Sequence, residues 1–206
     1  MSSVKEIPRD NYKTWSLFLV CDEKWLGSGN DSAPGLYSLY LDFEKFGKAI
    51  GDDNLAVWFW KQNQTVDSKL ASNIDVPRSA QFCKAYNLDP SKGPYLVISS
   101  TYPDESHLPS GLPPNSALFS LGNMKPNQVS PILEQVSAQL VQKRALSANR
   151  AATSDANGGA QPKPSVTWGV SLLESVQQVL TRFGCAWDFK IDAGPVQADL
   201  HPCGTG

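Results

Sequence analysis

The side chains with the means to do chemistry are few. The chain has four cysteines and two histidines. Cys21, Cys83, Cys185 and Cys203 stand far apart, and none forms a C-x-x-C pair. An isolated cysteine of this kind reads as a small core hydrophobe or an inert thiol, rather than as part of a structural disulfide or metal site. His201-Pro202-Cys203 would offer two zinc ligands. A zinc site needs three or four at defined spacing, so this segment reads as a polar tail. Ser28, between Gly27 and Gly29, has no histidine or paired carboxylate nearby to take its proton, and a serine so placed is a turn residue. Asp22 and Glu23 are adjacent at the end of a predicted strand, where their side chains diverge. They read as a solvated rim, not an acid–base pair. Gly-rich phosphate loops, H-E-x-x-H and G-x-S-x-G are not found. Neither a catalytic residue, a metal nor a cofactor is predicted.

The composition excludes other classes. Of 206 residues, 41% are apolar and 18% charged, the proportions of a globular protein with a real core. A net charge of -2 gives no electrostatic footprint for nucleic acid or an anionic membrane. No run approaches the roughly 18 apolar residues of a membrane span. The segment Met1 to Arg9 lacks the apolar stretch of a secretory signal, so a cytoplasmic location is the expectation.

The elements that must position any site follow in order. Residues 1–13 are polar and read as an arm. Trp15 to Cys21 is a short continuous apolar run, the signature of a buried strand, and it stops at Asp22-Glu23-Lys24. After a glycine-containing turn, Pro34 opens a helix capped by Asp31 or Ser32. Leu36, Leu39, Tyr40, Phe43, Phe46 and Ile50 give it an apolar stripe, and Gly51 ends it. Leu55 to Trp60 reads as a central strand, residues 79–86 as a short helix, and Gly93 to Ser99 and Ser116 to Leu121 as two more strands. A proline-rich loop, 101–114, lies between the last two. Val129, Ile132, Leu133, Val136 and Leu140 mark another helix, with Ser130-Pro131 as its start. Residues 145–165 lack bulky groups after Leu146 and read as a linker. A helix through Leu172, Val176, Val179, Leu180 and Phe183 follows. Trp187, Phe189 and Ile191 then alternate with polar residues as a half-buried strand, and the tail shows no pattern. The expected organisation is an arm (1–13), a core domain (14–143), a linker (144–165) and a C-terminal helix, strand and tail (166–206).

Four short stretches in this order resemble the thioredoxin-like family. Trp25-Leu26-Gly27-Ser28-Gly29 resembles the W-C-G-P-C turn with both cysteines gone, and Ala33-Pro34 matches the Ala-Pro of the helix that follows. Gly93-Pro94 resembles the cis-proline loop facing that turn, and Leu121-Gly122-Asn123 the third loop of the same face. The resemblance covers residues 14 to 143. It implies an α/β thioredoxin-like mixed sheet flanked by helices, with a C-terminal helix-plus-strand extension, and a cis bond before Pro94. The departures bear on function. Leu26 and Gly29 remove both sulfurs, so dithiol–disulfide exchange of the family type cannot run. Val20 stands where the family keeps a buried carboxylate. The family's first strand and helix are not evident before Trp15.

The resulting expectation is a redox-inactive, non-catalytic binding or scaffold protein. Its contact face would comprise Trp25, Leu26, Gly27, Ser28, Gly93, Pro94, Leu121, Gly122 and Asn123. The expected partner is a protein or an extended peptide held beside the cis-proline. The strand Trp187–Ile191 is expected to pair with an exposed sheet edge, in this chain or in a second copy. The rival expectation is a glutathione-dependent transferase, or an oxidoreductase using Cys21 or Cys83 as a relocated nucleophile.

Overall fold

The first strand sets the architecture. In the computed structural model, which describes residues 6–26, 34–61, 70–114, 116–122, 124, 126–154, 187–191 and 196–200, β1 (Thr14–Leu19) is buried along its whole length. Because side chains alternate along a strand, Trp15, Leu17 and Leu19 enter one apolar cluster and Phe18, with Val20 beyond the strand end, another on the opposite face. β1 pairs in parallel with β2 (Asn54–Trp58) and antiparallel with β3 (Tyr95–Ser99), which pairs antiparallel with β4 (Ser116–Ser120). The fold is therefore α/β, built on a mixed sheet of order β2-β1-β3-β4. Helices on both faces account for the unbroken apolar runs in these strands.

On one face lie α1 (Pro34–Ala49) and α4 (Pro126–Ser154). Tyr40, Phe43 and Phe46 of α1 meet Phe18, Trp58 and Trp60, with Phe18 stacked on Trp58 at 4.2 Å between ring centres. Gly51 ends α1 at φ 81, a conformation that suits glycine at a helix C-terminus. Asn54 secures that end: its Nδ2 donates to the Ile50 carbonyl at 2.6 Å, while its Oδ1 accepts from the Thr14 hydroxyl.

On the other face lies α3 (Val76–Ala85), preceded by the short α2 (Leu70–Asn73). Asp75 caps α3 by accepting from the Arg78 amide at 3.0 Å, so the helix begins earlier than the expected 79. The 101–114 loop closes this face. Glu105 forms an ion pair with Arg78, and the Gly111 amide donates to the Ala85 carbonyl at 2.7 Å. The N-terminal arm is docked here too. Ile7 is 2% exposed, the Tyr102 hydroxyl donates to the Ile7 carbonyl at 2.8 Å, and the Trp15 indole donates to the Pro8 carbonyl at 3.0 Å.

Tyr86 closes the C-terminal end of α3, packed edge-on against Phe82. Burial pushes its phenol up to about 12 from an ordinary 10.0. Between these values the unfolded chain releases the proton and the folded chain keeps it. Stability from this group is intact below about pH 10 and falls by about 2 to 3 kcal/mol as pH rises through 12. Tyr86→Phe is therefore expected to flatten the alkaline limb of a stability–pH curve, measured by urea unfolding from pH 9 upward. An unchanged slope would place the phenol in water.

The structure corrects the sequence reading in four places. Cys21 and Cys83 are not isolated thiols: they form a disulfide, with 5.9 Å between their Cα atoms. They are 62 residues apart in sequence and meet only because α3 packs across the end of β1, which spacing alone does not reveal. Next, α4 starts at Pro126 and runs to Ser154, through residues 145–154 that read as linker. That segment is rich in alanine, which favours helix whether or not a face is buried. Third, Val196–Leu200, read as patternless tail, is β6. Fourth, the Trp187–Ile191 strand, β5, pairs with β6 in its own chain, and it is β6 that lies parallel to β4. The helix expected over 172–183 falls outside the described residues. Among the described residues no helix is long and apolar enough to cross a membrane.

Candidate functional site

The chain leaves β1 through Cys21 and enters a 3-10 turn, Glu23–Leu26. Asp22 builds this turn. Its carboxylate accepts from the Lys24 amide at 2.9 Å and its carbonyl from the Trp25 amide at 3.2 Å. Asp22 is thus a structural acceptor, not merely part of a solvated rim. The turn presents Trp25 and Leu26, both half-buried and packed against the α1/α4 side of the core. The Trp25 indole N–H donates to the Pro90 carbonyl at 3.0 Å, a contact across 65 residues of sequence.

Pro90 belongs to the loop between α3 and β3. The Leu88 amide donates to the Cys83 carbonyl at 2.9 Å, and a tight turn from Asp89 to Lys92 follows. The Tyr95 hydroxyl fastens that turn by donating to the Asp89 carbonyl at 2.6 Å. Hydrogen bonds from Ser91 hold the Asp89 carboxyl below its usual value, and the charges of Lys92 and Lys24 act in the same direction. The Gly93–Pro94 bond is cis, the isomer the sequence resemblance implies. Both residues are buried.

The third loop follows β4. The Ser120 hydroxyl donates to the Lys92 carbonyl at 2.6 Å, and the Leu121 amide donates to the Pro94 carbonyl at 2.8 Å. Gly122 then comes so close to its neighbours that a Cβ would stand 1.9 Å from the Gly93 carbonyl oxygen. It would also stand 2.6 Å from both the Lys92 carbonyl oxygen and the Trp25 ring. One glycine is the point where all three loops meet.

Of the residues expected to form the contact face, Trp25, Gly93, Pro94, Leu121 and Gly122 converge, and Leu26 sits beside Trp25, half-buried against the α1/α4-side core. Gly27, Ser28, Gly29 and Asn123 lie outside the described residues. Lys24 lies 5.3 Å from the Trp25 ring centre, and Asp89 and Lys92 sit on the facing loop, so an apolar centre is edged by Lys24, Lys92 and the Asp89 carboxylate. Pro90, Lys92 and Ser120 were not singled out from the sequence. They act through backbone carbonyls or a single hydroxyl, which leave no pattern in a sequence. Asp89-Pro90-Ser91-Lys92 did carry an ordinary turn signal.

Among the described residues no group of three or more His, Cys, Asp and Glu stands together to hold a metal. His107 lies elsewhere, on the exposed 101–114 loop. There the Ser106 hydroxyl contacts both the Asp104 carboxylate at 2.6 Å and the His107 ring at 2.8 Å. The serine sits between acid and imidazole, the reverse of a nucleophile–base–acid relay, and the geometry is that of a capped turn. Compared with protein-family models, curated proteins and solved structures, the chain shows no significant match.

Proposed function

We propose that this chain is a non-catalytic, thioredoxin-like binding or scaffold protein that uses the three-loop face for contact with a protein or an extended peptide. The observation that carries the reading is the meeting of the Trp25 turn, the cis Gly93–Pro94 loop and the Gly122 loop at one point. A leucine stands where the family has its attacking cysteine. The order β2-β1-β3-β4 with helices on both faces supports the same reading. Three loops meeting at one point without a free thiol serve shape rather than electron transfer.

The buried Cys21–Cys83 bond argues against the rival reading, because neither sulfur stands as a free thiolate to attack glutathione or a disulfide. It also weighs against the cytoplasmic expectation, since disulfides form in oxidising compartments.

The test is affinity capture with the native protein and identification of what is retained, repeated with Leu26→Asp and Trp25→Ala. Leu26→Asp is expected to lose the specific partner at least tenfold while leaving the circular dichroism spectrum unchanged, because it places a charge in the apolar centre of the face. Retention of every partner by both variants would rule out this surface. Turnover in insulin-reduction or glutathione-conjugation assays, abolished by Cys21→Ala, would replace the proposal with the enzymatic one.

A further inference from the structure

We infer that the Cys21–Cys83 disulfide clamps the candidate face in its assembled form and that its reduction releases the Trp25 turn. The inference rests on the binding reading above and concerns how that face is regulated.

The position of the bond carries the argument. Cys21 immediately precedes Asp22, the residue that builds the Trp25 turn through its carbonyl and its carboxylate. Cys83 lies in the last turn of α3 and its carbonyl holds the Leu88 amide, from which the chain runs directly into Asp89, Pro90 and Gly93. The bond therefore joins the stem of the first loop to the stem of the second. What else joins those loops is the packing of the half-buried Trp25 ring beside Gly93 and Gly122, together with weak polar contacts. The Trp25–Pro90 hydrogen bond is exposed, Lys24 acts on Asp89 only through its charge, and no residue of the Glu23–Leu26 turn is fully buried. An exposed hydrogen bond or ion pair contributes about 1 kcal/mol or less. The second and third loops, by contrast, are tied by two hydrogen bonds and by the β3–β4 ladder, none of which involves a cysteine.

Opening the bond therefore acts on one side only. The β1–β3 ladder extends to the pair Leu19↔Tyr95 and keeps the sheet in register. Val20 stays anchored in the α1/α4-side cluster, so the freed segment begins at Cys21 and carries Trp25 away from Gly93 and Gly122. A dithiol reductant supplies the two electrons. Its thiolate attacks one sulfur, a mixed disulfide forms and resolves, and the protein gains two protons as two thiols while the reductant closes into its own disulfide. Cys21 is 7% exposed and Cys83 2%, so Cys21 is the sulfur an incoming thiolate reaches first.

The test compares amide and indole NMR spectra of the oxidised protein, the protein in excess dithiothreitol, and Cys21→Ala/Cys83→Ala without reductant. The decisive reporter is the Trp25 indole N–H. In both states that lack the disulfide its resonance is expected to lose the hydrogen-bonded shift and to exchange with solvent roughly tenfold faster. The Ser120, Leu121 and β3–β4 amides are expected to keep their native shifts, and reoxidation is expected to restore the Trp25 signal. A crosslink that only adds stability would lower the unfolding midpoint and leave the native Trp25 resonance in place. That outcome, or a reduced protein with no folded spectrum, would overturn the clamp. Because no partner enters this measurement, its failure is separate from failure of the binding proposal, which the capture experiment reads.

Discussion

Gly122→Ala is expected to lower stability by about 3 kcal/mol, at the upper end of what overpacking costs in a well-packed site. The methyl group has nowhere to go. Its nearest neighbours are the Gly93 and Lys92 carbonyl oxygens and the Trp25 ring, and the two carbonyls are part of backbone that cannot swing aside. Lys92 is held by the Ser120 hydroxyl, and Pro94 by the Leu121 amide. The glycine is required for close approach of chains, not for an unusual φ. Relief must come from parting the loops, so the substitution is expected to abolish partner capture together with the stability loss. Urea unfolding followed by circular dichroism measures the first effect. A variant within about 0.5 kcal/mol of the parent would show that the loops part freely and that their meeting point is not a packed one.

Removing the disulfide is expected to cost about 4 kcal/mol, the value that loop-closure entropy assigns to a crosslink spanning 62 residues. The sulfurs lie on the α3 side of the sheet, which one long helix, a loop and the N-terminal arm cover. The opposite side has two long helices and the larger aromatic cluster. Fewer contacts are therefore available there to replace the covalent tie. Urea midpoints of the oxidised protein and of Cys21→Ala/Cys83→Ala, taken at equal slope, give the difference directly. A loss under about 1 kcal/mol would mean that the unfolded chain is already restricted without the bond.

How much was legible depended on whether the signal was local. β1, β2, β3, β4 and α1 follow from short apolar runs and a helical stripe bounded by turn residues, and these survive without neighbours. The Trp25, Gly93-Pro94 and Gly122 stretches were legible as one face only through their resemblance to the thioredoxin-like turn and loops. What they touch was not legible: the bond from Trp25 to Pro90 depends on where α3 delivers the chain. The disulfide was misread for the same reason. The far end of α4 was lost because absence of bulk was taken for absence of helix, when alanine-rich sequence satisfies its own backbone. β6 was lost because Val196-Gln197-Ala198-Asp199-Leu200 is too mixed in polarity to stand out before its pairing with β4 is known.

The docked arm has a consequence for where the folding unit begins. Ile7 is part of the apolar interior, and the Pro8 and Ile7 carbonyls are the acceptors for the Trp15 indole and the Tyr102 hydroxyl. A fragment designed to start at Thr14, where regular secondary structure starts, would strip both donors of their partners and open the floor of the α3 side. The natural cut site lies upstream of Ile7, and any fusion or tag belongs before it.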